Sequence, residues 1–318
     1  MDRKAVIMDC DPGHDDAIAI MLALASDKID LLGITTVGGN QTVEKTTKNA
    51  CKVLEKIKRT DIPVVKGKSK PLISKLNVAQ DCHGTTGMDG PQLPEPEMKP
   101  LEENAISFIA RMVNECDRKV CLVPTGPLTN IAAFLLAYPE LHEKIECISF
   151  MGGGVYEGNR TIYSEFNIWN DPVAAHIVFH SNVPLIMHGL DVTHKAIILK
   201  EEFEQFHNAG DEISKFVGEL LDFFSIFYTG PLRRMPGCPM HDSCAVAYLI
   251  DPSLFTVRQA NLDLDLKGAY NAGACVADFR SNPQVNYNAV VAMDIDRERF
   301  LKLLKESCKY HGIKGRQG

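Results

Sequence analysis

The chain has 318 residues, with 34 Lys and Arg against 41 Asp and Glu for a formal net charge of −7, and is 45% hydrophobic and 24% charged. This balance excludes intrinsic disorder and a collagen-like chain. The surplus of acid disfavours nucleic acid or an anionic membrane as partner, because both need a concentrated basic face.

The N-terminus sets Asp2, Arg3 and Lys4 before an apolar run that ends at Asp9, too short for a secretory h-region. Residues 5–8 read as a buried strand, 15–26 as a helix, 31–37 as a strand and 43–57 as a helix. Residues 77–91 and the Pro-rich 91–100 form one long surface loop. Helix 102–116, strand 120–123, helix 128–137, strand 145–151, helix 172–181 and strand 183–187 follow. Residues 201–228 are helical throughout, a helix covers 245–250, and 262–266, 275–278 and 290–294 complete the strands. The basic stretch from Lys302 to Arg316 reads as a solvated helix and tail.

This β-then-α alternation predicts an α/β fold: a mainly parallel, Rossmann-like central sheet with right-handed crossovers, helices on both faces and one helical excursion. The length alone permits two domains or one large one. No linker or repeat divides the chain, so one domain over 1–318 is expected. No run of about 18 apolar residues exists to span a bilayer. The ten cysteines lie singly in apolar contexts such as Cys51, Cys147 and Cys275, which suits reduced thiols and a cytoplasmic protein.

In parallel sheets, ligands bind where strands end and helices begin. The first such junction, Asp9-Cys10-Asp11-Pro12-Gly13-His14-Asp15-Asp16, gathers four carboxylates in eight residues. One or two acids suffice to cap a helix; four repel one another unless a cation holds them, and their hard oxygens favour Ca²⁺ or Mg²⁺ over zinc. An Asp-x-Asp after a strand also opens the aspartyl-phosphate chemistry of haloacid dehalogenase-type phosphatases, although Pro12 replaces their usual Thr or Val. The later junctions are Val37-Gly38-Gly39-Asn40, Val123-Pro124-Thr125-Gly126-Pro127, Met151-Gly152-Gly153-Gly154 with Asn159 and Glu165-Phe166-Asn167, and Pro239-Met240-His241-Asp242. The glycines of the fourth do not fit the dinucleotide spacing. Its amides and carboxylate are expected to form a site without basic residues, which suits hydroxyl groups better than phosphate. Cys238, His241 and Cys244 resemble a soft-metal spacing but lack a fourth ligand.

Taken in order, these five segments resemble the inosine-uridine preferring nucleoside hydrolase family. The resemblance runs from Ala5 to about Asp296 and includes Cys82-His83-Gly84 to Asp89-Gly90-Pro91 and Ala277-Asp278-Phe279-Arg280. It implies hydrolysis of the N-glycosidic bond of ribonucleosides, with Asp11, Asp16, Asp242 and the Thr125 carbonyl holding Ca²⁺ and Asp11 as the base. It also implies Asp15 at the ribose 2′-hydroxyl, and Asn40, Asn159, Glu165 and Asn167 around the sugar. His241 would serve the leaving group, with His83 and Tyr228 near the base. A small-molecule ribonucleoside partner and a homodimer or homotetramer are implied as well. A nucleoside sensor without catalysis remains the non-enzymatic reading.

Overall fold

The computed structural model describes residues 3–281 and 286–315; Asp2 and Arg316 lie outside the described residues. In chain order the elements are β1 (Lys4–Cys10), α1 (His14–Ala25), β2 (Ile29–Thr36), α2 (Val43–Lys56), β3 (Val64–Lys66), α3 (Gln80–His83), α4 (Ala105–Glu115), β4 (Val120–Pro124), α5 (Thr129–Ala137), β5 (Ile145–Met151), α6 (Phe166–Asn170) and α7 (Pro172–Phe179). They continue with β6 (Leu185–His188), α8 (Leu190–Thr193), β7 (Ile197–Leu199), α9 (Phe203–His207), α10 (Glu212–Thr229), β8 (Gly237–Pro239), α11 (His241–Ile250), β9 (Phe255–Leu264), β10 (Cys275–Asp278), β11 (Ala289–Ile295) and α12 (Arg297–Gly315).

Nine strands form one sheet in the order β10-β9-β11-β6-β5-β4-β1-β2-β3. All pairings from β3 to β11 are parallel, whereas β9 runs antiparallel to both β11 and β10. The fold is therefore the α/β class expected, with a mainly parallel sheet. Its two faces follow from the period-2 alternation of each strand. Val6, Met8, Cys121 and Val123 join one core with α1, α10, α11 and α12, while Ala5, Ile7, Val120 and Leu122 join the other with α4, α5 and α7. The chain leaves β1 for β2 on one side and later returns to β4 on the other, so β1 and β4 flank a point where the winding direction reverses. A crevice opens above such a point.

Local chemistry sets the helix starts. Asn104 Oδ1 accepts from the Ile106 N–H at 2.9 Å, so α4 begins at Ala105 rather than at the expected 102. Asp171 caps α7 ahead of Pro172, and Asp211 caps α10.

Several expectations need correction. The segment 201–228 is broken between α9 and α10 by Asn208 to Asp211, where Gly210 adopts φ +80°. The strand expected at 262–266 is the tail of the ten-residue β9. The small β7–β8 sheet and the three-residue β3 were not expected. Segment 77–91 is more than a surface loop: it contains α3 and buries Ala79, Cys82, His83 and Met88. The C-terminal helix is docked, with Phe300, Leu304, Cys308 and His311 buried against the core or α1. All ten cysteines are free. Among the described residues no helix is long and apolar enough to cross a membrane.

Candidate active site

The first junction places its four acids at different depths. Asp9, the penultimate residue of β1, is a strut: its Oδ1 accepts from Thr35 Oγ1 at 2.6 Å and from Asn130 Nδ2 at 2.7 Å. Burial pushes its carboxyl up to about 7. Asp11, just past the strand, accepts the Asn40 backbone N–H on Oδ2 at 2.6 Å, while its buried Oδ1 has no partner among the described residues. The glycines of the second and third junctions make room for this carboxylate. A Cβ on Gly39 would stand 2.0 Å from Asp11 Oδ2, and one on Gly126 would stand 2.6 Å from Oδ1.

Asp15 and Asp16 open α1, Asp242 opens α11, and these two helices pack together, so their N-termini converge. One carboxylate oxygen from each of Asp15, Asp16 and Asp242 lies within 4.8 Å of the others. Asp16 is oriented by the Gly13 N–H at 2.9 Å, Asn40 Nδ2 at 3.2 Å and Thr125 Oγ1 at 2.8 Å. Burial first, and repulsion from neighbouring carboxylates second, push Asp15 up to about 8 and Asp11 and Asp242 well above the carboxylate range. Burial, only partly offset by its hydrogen bonds, raises Asp16 also. A hard divalent cation fits this place: the donors are all oxygen, their charges need neutralising, and the Asp11 Oδ1 is orphaned. The tightest cluster contains Asp15 in place of the expected Asp11, which approaches from the β1 side.

The fourth junction supplies polar groups that also hold the backbone. Glu165 caps α6, accepting from the N–H groups of Asn167 at 2.9 Å, Ile168 at 3.3 Å and Gly153 at 2.9 Å, and burial raises its carboxyl to about 7. Asn167 Nδ2 donates to the Thr125 carbonyl at 2.7 Å, and Asn159 Oδ1 accepts from the Phe166 N–H at 2.9 Å. At the fifth junction His241 lies between two hydroxyls: Nε2 is 2.9 Å from Tyr228 Oη, and Nδ1 is 2.8 Å from Thr193 Oγ1. Burial, reinforced by His194 and Arg233, holds this imidazole neutral, its pKa well below the ordinary histidine range.

One cleft is lined by Asp15, Asn40, His83, Thr125, Asn159, Glu165, Asn167, Tyr228, His241 and Asp242. Asp11 and Asp16 join it through Asn40, which bonds both. All twelve residues singled out from sequence therefore meet in one place. Other residues around the site were missed. Arg160 and Arg233 line the cleft, correcting the expectation of a site without basic residues. Arg233 donates from Nη2 to the Asn159 carbonyl at 2.6 Å, and Arg160 lies over Trp169. Only the adjacency of Arg160 to Asn159 signalled this in the sequence. His14 was also missed as a partner of His83: their Nδ1 atoms are 3.1 Å apart, and the His14 ring stacks on Phe223 and Phe224.

Two other readings lose ground. Cys238 and Cys244 direct their thiols to the carbonyls of Leu221 and Met240, and no metal-ligating group forms around them among the described residues. Asp9 is tied down within the sheet, and nothing supports the aspartyl-phosphate route.

The family model of the inosine-uridine preferring nucleoside hydrolases matches residues 6–302. The chain is 46% identical over 307 residues to the pyrimidine-specific ribonucleoside hydrolase RihA of Salmonella arizonae, covering 96% of this chain and 99% of that one. Among solved structures it is similar to the purine-preferring ribonucleoside hydrolase from Gardnerella vaginalis, with TM-score 0.91, 33% identity and coverage of 98% and 100%. A plant nucleoside hydrolase, the PpNRh1 enzyme, matches with TM-score 0.88, 30% identity and coverage of 96% and 98%.

Proposed function

This chain belongs to the inosine-uridine preferring nucleoside hydrolase family and is an N-ribohydrolase acting on nucleosides; from that premise we propose that it is calcium-dependent and prefers pyrimidine ribonucleosides. The observation that carries the metal reading is the buried, mutually repelling carboxylate cluster with its orphaned Asp11 Oδ1. The preference rests on the 46% identical pyrimidine-specific relative. Asp11, Asp16, Asp242 and the Thr125 carbonyl would hold the ion, with Asp15 beside them. When bound, Ca²⁺ supplies a Lewis acid that makes water more acidic and grips the ribose diol.

The rest falls to the chain's own side chains. Hydrolysis places the hydroxyl of water on C1′ and breaks the C1′–N bond, and the departing base takes up the proton balance. The orphaned Asp11 Oδ1 accepts the water's proton, while its Oδ2 is fixed by the Asn40 N–H. Asp15, facing the cleft, accepts from the 2′-hydroxyl. The sugar becomes cationic as the bond breaks, so Asp15 and Glu165, once ionised, favour the transition state over the substrate. Asn167 is a positioning residue, because its amide holds the Thr125 carbonyl in place. Asn40 does the same for Asp11 and Asp16.

At the base end His83, Tyr228 and His241 line the cleft. Because His241 is neutral, its imidazole and the Tyr228 hydroxyl form a proton-sharing pair through which the leaving base is protonated. The test is ribose release, measured as reducing sugar, from uridine, cytidine, inosine and adenosine side by side. Higher kcat/KM for uridine and cytidine is expected. A purine preference would overturn the base assignment, and no ribose from any of the four would overturn the whole reading.

A further inference from the structure

A second constellation lies outside the active-site cleft. His176 on α7 and His180, one residue past its end, are four apart, so both rings leave the same helical face, and their centroids are 4.2 Å apart. Asp263 on β9 faces them, with Oδ1 at 3.8 Å from His176 Nδ1 and 3.9 Å from His180 Nε2. One donor atom from each residue lies within 4.8 Å of the others.

The protonation pattern points the same way. His180 Nδ1 is 2.8 Å from the His176 carbonyl, which can only accept, so Nδ1 carries the hydrogen and Nε2, which faces Asp263, is the atom left to ligate. Ligating histidines have this arrangement, in which a backbone carbonyl fixes the tautomer. His176 Nδ1 is a buried atom with no hydrogen-bond partner among the described residues. The two N···O gaps are too long for hydrogen bonds. They are close to what one ion would need: donors bound to tetrahedral zinc at about 2.0–2.2 Å stand roughly 3.3–3.6 Å apart. The two N···O gaps exceed that spacing by a few tenths of an ångström.

We propose that His176, His180 and Asp263 form a second metal site that takes Zn²⁺ or a similar borderline divalent transition ion, with water in the fourth position. Two imidazoles and one carboxylate suit zinc, whereas the all-oxygen cluster of the active site suits a harder ion. The bound ion ties α7 to β9, the strand that turns the sheet antiparallel at its edge.

The experiment titrates the full chain, held in excess Ca²⁺ to occupy the carboxylate cluster, with Co²⁺ as a spectroscopic probe. One equivalent should produce visible bands of tetrahedral intensity that Zn²⁺ abolishes. Zn²⁺ alone should raise the Tm of the wild-type chain. In H180A and D263N, which remove ligands outside the cleft, the bands should vanish and the affinity fall at least about tenfold. Ribose release from uridine should stay unchanged in both variants, which shows that they fold. No bands in the wild type, or equal affinity in both folded variants, would overturn the site.

Discussion

At the scale of single residues, His241 is where the structure changes the chemistry most. The family resemblance implies that His241 serves the leaving group, which would be protonated by this histidine or by solvent. Burial keeps the ring neutral, and its two nitrogens are already engaged by Tyr228 and Thr193. We propose that the Tyr228 hydroxyl assists its use as an acid. H241A is expected to lower kcat by about 10²-fold or more, in the range for loss of a general acid. The loss should be larger for inosine, whose base offers an imidazole nitrogen to protonate, than for uridine. Y228F, which removes one hydrogen bond, should cost about tenfold. Equal losses on the two nucleosides in H241A, read by ribose release, would contradict a leaving-group role.

At the scale of elements, the site is made by strand ends whose following turns are dense in glycine. Gly39 and Gly126 clamp the Asp11 carboxylate from two sides with no room for a methyl group. G39A is therefore expected to displace that carboxylate and lower kcat/KM by about 10²-fold, the usual cost of misplacing a catalytic group by about 1 Å. Its circular dichroism spectrum should stay native; near-normal turnover in G39A would refute the clamp. These junctions were legible because Asp, Gly and Pro punctuate apolar strand runs, and a helix must start with a cap. Elements without such a signal were not legible. β3, β7 and β8 have three residues each and show no period. β9 exposes most of its first half, so only its end alternates clearly. The break before α10 was signalled by Asn208 to Asp211 but was masked by apolar periodicity on both sides. Nor does local sequence show that His14 meets His83 or that Arg233 reaches Asn159, because those contacts depend on how the loops fold back over the sheet.

At the scale of the whole molecule, the sheet order puts β1 beside β4 and brings residues from Asp11 to Asp242 into one cleft. A cut anywhere between them would divide the site, and we propose that the chain functions as one domain. The net charge of −7 takes on a local meaning, because part of it is concentrated in buried acids that raise one another's pKa. On the proposed function, a cation at that place would remove the repulsion and complete the reaction centre. The most direct measurement is ribose release from uridine by protein stripped with a chelator and then dialysed, before and after addition of Ca²⁺. The account predicts turnover reduced to a small residue in the stripped protein and restored by Ca²⁺, with D11N inactive in both conditions. Full turnover in the stripped protein, or normal turnover in D11N, would contradict it.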